Sequence, residues 1–274
     1  MARMTKKWLE AVAKPRGTAW RDGKGGAPLS PVLPFVAHEV HPDLVHMVSG
    51  LGTVRKLAKG DEVFTEGDSP ALFAYVTKGI VARGAGRSGT VSSLVLPGRL
   101  ASGDLGLFTG LPSYAHAYAL VPSEEVIIPK ETISHFIAND RWLSLLAARQ
   151  MELAAASDRV SAAVRTSLPP EGRLAAFFYT WAACYGEEEE GRIAMPAPLP
   201  RRIISELTAT PETQIDRLLK EWGDAGYLVQ EGDRVTADFL LLLPIQQWMV
   251  EMEKRSSVGR FRGLRGSLFG SCED

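Results

Sequence analysis

Leu199–Leu228 reads LPRRIISELTATPETQIDRLLKEWGDAGYL. Two short helices joined by a tight turn account for this spacing. Pro200 suits a helix start, where its missing N–H has no partner to lose. Ile203, Ile204 and Leu207 form one apolar face. Thr210 before Pro211, with Glu212 in the following turn, predicts an N-cap and a second helix. That helix directs Ile215, Leu218, Leu219 and Trp222 inward and leaves Glu212, Thr213, Asp216, Arg217 and Lys220 outward. Gly226 stops it. Next come Tyr227–Gln230, the turn Glu231-Gly232-Asp233, and Arg234–Thr236, a strand–turn–strand pattern.

This is the sequence form of a helix-turn-helix with a wing behind it. The second helix of such a unit enters the DNA major groove by its N-terminal end. An ordinary helical hairpin with a solvated charged face has the same local pattern, so the rest of the chain must discriminate.

Composition narrows the class. The chain has 274 residues, 45% apolar and 23% charged, as expected for a globular protein of one large domain or two. No apolar run approaches the ~20 residues that span a bilayer. No signal-peptide core follows the basic N-terminus, so a cytoplasmic protein without a membrane partner is expected. Cys184 and Cys272 are far apart and form no CxxC pair, so neither a metal centre nor an iron–sulfur cluster is expected. A net charge of −1 means that any attraction to nucleic acid must come from local patches.

Upstream, Gly52–Pro129 carries short strand-like runs at close spacing, separated by Lys59-Gly60-Asp61, Glu66-Gly67-Asp68, Lys78-Gly79, Gly86–Gly89 and Pro97-Gly98. Such spacing predicts a β-barrel or jelly roll. After a short helix at Glu131–Ile137, Asp140–Thr166 runs without Gly or Pro and predicts one long helix. Leu143, Leu146, Gln150, Leu153, Ser157, Val160 and Val164 recur at alternating spacings of three and four, which we read as a dimer seam. Packing of the helix on its own barrel would use the same stripe. Pro169-Pro170 ends it, and Leu174–Tyr185 predicts a further helix. Glu187–Glu190 reads as a solvated acidic turn and Arg192–Met195 as a strand. Residues 1–37, rich in Lys, Arg, Gly and Pro, predict a mobile basic arm with one short helix around Trp8. Arg255, Arg260, Arg262 and Arg265 form a basic tail able to reach phosphates.

Barrel, long helix and winged helix in this order resemble the Crp/Fnr family of bacterial transcription regulators, over about residues 52–239. LAKGDEVFTEGDSPALFAYVTKGIVA resembles the family's roll, SGDLGLFTGLPSYAHAYAL its phosphate-binding cassette, and LPRRIISELTATPETQIDRLLK its helix-turn-helix. The resemblance implies an α+β fold with a cyclic-nucleotide-binding-like β-roll (38–138), a dimerisation helix (139–167), a winged helix-turn-helix (168–245) and a C-terminal helix with basic tail (246–274). It implies a non-enzymatic, homodimeric regulator that binds double-stranded DNA at an inverted repeat, with RNA polymerase as a candidate partner.

Effector recognition departs from the family pattern. Gly103 and Gly106 preserve the cassette turn, and Asp104 stands where a carboxylate meets the ribose. The phosphate-gripping Arg is absent, its position falling at Ser113 beside Tyr114. A hydroxyl cannot replace a planar, permanently charged fork. Ser157 matches a polar group that meets adenine. Ordinary cyclic-AMP binding is therefore not expected, and the effector stays open between a changed ligand and none. A cysteine-cluster sensor is excluded by the absence of cysteine before Cys184. His38, His41, His46, His116 and His135 are the candidates for haem or metal ligation, without a metal-site spacing. No nucleophile elbow or P-loop occurs.

At the DNA face, Arg201 and Arg202 occupy the resemblance's phosphate-contacting positions. Glu212, Thr213, Asp216 and Arg217 occupy the base-reading face, with Lys220 behind them. Arg217 is the candidate for a bidentate contact to guanine. A protein-docking role for the winged helix is the alternative.

Overall fold

The computed structural model describes residues 5–12, 32–68, 72–85, 90–102 and 112–255. Eight strands build the roll: β1 (Thr53–Leu57), β2 (Glu62–Phe64), β3 (Leu72–Lys78), β4 (Val81–Ala85), β5 (Val91–Val95), β6 (Arg99–Ser102), β7 (Ala115–Ala119) and β8 (Ser123–Pro129). They form two four-stranded sheets, ordered β1-β8-β3-β6 and β2-β7-β4-β5. Ala74, Val76, Val81, Val95, Ala101 and Ala117 fill the space between them. The turn after β3 requires Gly79: its φ is +85°, and a Cβ there would meet Pro122 and Ser123 within 3 Å.

Helix α1 (Lys6–Val12) and α2 (Pro42–Leu51) precede the roll, and α3 (Lys130–Asn139), α4 (Arg141–Ser167) and α5 (Pro170–Tyr185) follow it. Asp140 starts α4 by accepting the N–H groups of Trp142 and Leu143 at 2.8 and 3.0 Å. Every residue of α5 from Leu174 to Tyr185 is buried. A helix apolar all round belongs in the middle of a core. Here it lies between the roll and a third sheet, ordered β11-β12-β10-β9. That sheet comprises β9 (Glu187–Glu189), β10 (Arg192–Pro196), β11 (Leu228–Glu231) and β12 (Arg234–Asp238). Thus Glu187–Glu189, expected as a turn, is an exposed edge strand paired with β10. Charged side chains on an edge discourage further pairing. Helices α6 (Arg201–Thr208), α7 (Glu212–Asp224) and α8 (Phe239–Arg255) complete the fold. Among the described residues no helix is long and apolar enough to cross a membrane.

Two further expectations need correction. The N-terminal region is not a free arm throughout. Trp8 and Val12, one helical turn apart, are buried in the main core, and the Trp8 indole donates to Ala197 O at 2.7 Å. Residues 32–36 are also buried. The remaining arm positions lie outside the described residues, as do Arg260, Arg262, Arg265 and Cys272 of the tail.

The expected dimer seam largely faces its own chain. Leu146 is buried with Phe73, Val126 and Ile133, and Val164 with Phe35 and Leu174. Gln150 and Ser157 are buried as well, each bonded to a carbonyl of residues 33–38. Leu143 and Val160 pack partly against the same cores, and Leu153 is half-buried. The apolar stripe is covered by the roll and by residues 33–38. The face of α4 left outward carries Leu145, Ala148, Glu152 and Arg159, with Leu145 49% exposed.

Candidate nucleic-acid interface and roll site

Helices α6 and α7 form the two arms of the helix-turn-helix. Ile203, Ile204 and Leu207 of α6 and Ile215, Leu218 and Trp222 of α7 are buried in one core. Between the helices Ala209 takes a left-handed conformation, φ 50° and ψ 44°, which closes the turn. Thr210 does not cap α7. Its hydroxyl turns back to Thr208 O at 3.3 Å, the cap position falls on Pro211, and no side chain bonds there. Gly226, at φ +76°, turns the chain from α7 into the hairpin β11–β12, where Glu231 pairs with Arg234.

Glu212, Thr213, Asp216, Arg217 and Lys220 are all exposed along α7, as expected, and the base-reading candidates share one accessible face. Arg201 and Arg202 begin α6. Of their pairings, only that of Arg201 crosses from one helix to the other. Arg201 Nε lies 3.0 Å from Asp216 Oδ1, Arg202 Nε 3.4 Å from Glu206, and Arg217 Nε 3.6 Å from Glu221. Each arginine proposed for DNA therefore has a carboxylate neighbour. Between Arg201 and Asp224 four cations face five carboxylates, so the surface is charge-balanced rather than basic.

In the roll, Gly103, Asp104 and Gly106 lie outside the described residues. Ser113 is buried. Its hydroxyl donates to Ala115 O at 2.9 Å, and its backbone pairs with Gly67 and Asp68. Tyr114 projects outward, 73% exposed. Ser157 contradicts the expectation that it meets a base. Its hydroxyl sits 2.8 Å from Leu33 O and 2.7 Å from Val36 O, so the chain itself occupies it. Inside the roll, sequence reasoning overlooked Glu125. This buried carboxylate pairs with Arg55, and one of its oxygens has no hydrogen-bond partner. Burial pushes its carboxyl above the usual range, against the pull of Arg55.

The histidines do not converge. His41 caps α2, accepting the Asp43 N–H at 3.3 Å, and packs edge-on against Trp142. His116 stacks on Tyr118, and His135 lies against Phe136. His46 is exposed, and His38 is half-buried beside the long helix. Among the described residues no group of three or more His, Cys, Asp or Glu side chains could hold a metal.

Fold and site define a class: a β-roll joined through a long helix to a winged helix. Residues 54–140 match the cyclic nucleotide-binding domain. The chain has the fold of the CRP/FNR regulators, and three solved structures illustrate it. FixK2 from Bradyrhizobium japonicum is 16% identical, with a TM-score of 0.60 over 73% of this chain and 96% of that one. The c-di-GMP-responsive global regulator CLP of Xanthomonas campestris is 17% identical, with a TM-score of 0.58 over 72% and 99%. A CRP/FNR-family transcriptional regulator from Thermus thermophilus is 18% identical, with a TM-score of 0.54 over 73% and 98%. No curated protein matches the sequence.

Proposed function

We propose that this chain is a homodimeric, sequence-specific DNA-binding transcription regulator, not an enzyme, acting in the cytoplasm. Its roll takes an effector other than cyclic AMP bound in the usual way, or none. The observation that carries the reading is the helix-turn-helix itself. Its recognition helix α7 is backed by a wing and exposes Thr213, Asp216, Arg217 and Lys220 on one face. Two such helices related by a two-fold axis match an inverted repeat with half-site centres about 34–36 Å apart. RNA polymerase is a further partner in this reading.

Arg217→Ala is expected to cost about 1–3 kcal/mol of DNA affinity and relax selectivity at one base position per half-site. Arg201→Ala should weaken binding to all sequences and flatten its salt dependence, because a phosphate contact acts through counterion release. Selection from a random duplex pool, followed by titration at several salt concentrations, separates the two. If both variants bind and select like the parent, the winged helix is a protein-docking surface instead.

Pairing of two chains is assigned to the outward face of α4, where Leu145 and Ala148 precede Glu152 and Arg159. Leu145→Glu would set two carboxylates against each other in that contact. Sedimentation should show monomers for this variant. An unchanged dimer would move the interface elsewhere.

A further inference from the structure

Strand β5 is the last strand of its sheet, and its outer edge is covered by three separate parts of the chain. Phe35 and Ala37 pair with Leu94, each through a 2.8 Å backbone bond. Arg165 of α4 donates to Ser92 O at 3.3 Å and to Leu207 O at 3.2 Å, joining the strand to the end of α6. At the start of β5, the Val91 N–H donates to the carboxylate of Glu206 in α6 at 2.8 Å. A strand edge otherwise leaves such groups to water or to another chain. Here the first helix of the helix-turn-helix fills that role.

Arg202 belongs to the same contact. It lies beside Glu206, and its charge is felt at the Tyr118 hydroxyl of β7. The Tyr118 hydroxyl is held above its ordinary value, first by burial and then by Glu206, with Arg202 opposing. Tyr118 in turn stacks on His116, three residues after Ser113. A cation of the DNA unit thus stands next to the roll, at the strand that ends the cassette stretch. Arg173 of α5 adds a fixed point, donating to Ala209 O at 2.7 Å and Thr208 O at 3.4 Å at the end of α6.

We infer that Glu206, Arg165 and Arg202 form a latch holding α6 on the roll, and that the latched form binds DNA more weakly than the released form. The inference rests on the DNA-binding reading and adds a means of controlling it. An effector that moved β7 or the end of α4 would act on this contact. Release shifts a two-state population, so apparent affinity rises by the fraction released.

The test uses the full chain, Glu206→Ala and Arg165→Met, and a duplex selected from a random pool by the parent protein. Both variants should speed hydrogen exchange at the Val91 amide by about tenfold and tighten binding to that duplex by about fivefold. Arg165→Met is decisive because it removes a cation. Simple attraction to phosphate predicts weaker binding for it, whereas the latch predicts tighter binding. Faster exchange with unchanged or weaker binding in Arg165→Met overturns the latch and leaves the DNA reading intact. Unchanged exchange in both variants also overturns it. If neither the parent nor either variant selects a duplex from the pool, the DNA reading itself fails, and the latch with it.

Discussion

Trp181→Ala is expected to lose about 3–5 kcal/mol of stability, the range for truncating a large buried aromatic. Trp181 is 1% exposed, one turn before the end of α5. Its ring stacks on Phe177 with centroids 5.9 Å apart and leans on Tyr185 at 4.6 Å. Its indole N–H donates to Pro196 O at 2.9 Å, tying α5 to β10. Truncation removes packing on both sides of the helix and leaves that carbonyl without its donor. Because α5 lies between the roll and the winged sheet, the loss should appear in both parts at once. Denaturant unfolding followed by tryptophan fluorescence and by far-UV circular dichroism should show one earlier transition. Trp181→Phe separates the contributions, since it keeps most of the buried area and loses the hydrogen bond. A parent-like midpoint for Trp181→Ala would mean that α5 does not join the two parts.

Arg99→Met should cost about 2–4 kcal/mol, mostly through the groups it leaves behind. Arg99 is 1% exposed, an unusual site for a cation. Its Nε donates to Ala37 O at 2.8 Å and Nη1 to Pro97 O at 3.0 Å. Nη2 reaches Glu39 at 3.1 Å and the Cys184 sulfur at 3.6 Å. The guanidinium thus gathers the segment before the roll, the turn before β6, and the end of α5. Methionine fills similar volume but donates nothing, so the two carbonyls stay desolvated and unpaired. Glu39→Gln is the control. That side chain is half-exposed, and an exposed ion pair contributes only about 0–1 kcal/mol. Equal losses in the two variants would mean that the ion pair, not the carbonyl contacts, carries the energy.

The helix-turn-helix and its wing were legible in the sequence because their signals are local. Ile203, Ile204, Leu207, Ile215, Leu218 and Trp222 sit at helical spacing and are all buried. The Glu231-Gly232-Asp233 turn stands between two paired strands. The roll was legible through its Gly-containing corners, except for β6, a short strand directly after a turn. Three elements escaped. Strands β6 and β9 are too brief to set a period against their neighbours, β6 being held by its pairing with β3 and β9 by its hairpin with β10, while α2 is held by packing against the roll. For the candidate site, periodicity identified the outward face of α7, and i,i+4 spacing sets Glu206 and Glu221 beside Arg202 and Arg217, but the Arg201–Asp216 pair joins two helices and no spacing along one helix shows it.

By itself, the sequence determined the order of parts and the inward and outward faces of the two short helices, since spacing along one helix sets which residues share a side. Only the tertiary structure decided what covers each face. The stripe Leu146, Gln150, Ser157 and Val164 on α4 says that one side is buried, and a roll satisfies it as well as a second chain does. Gln150 and Ser157 settle the matter by bonding to carbonyls of residues 33–38, far away in sequence. Likewise the short helix around Trp8 stood in a region expected to be a mobile arm, and only the main core shows Trp8 and Val12 buried. Burial is a property of both surfaces in contact, and a sequence pattern specifies only one of them.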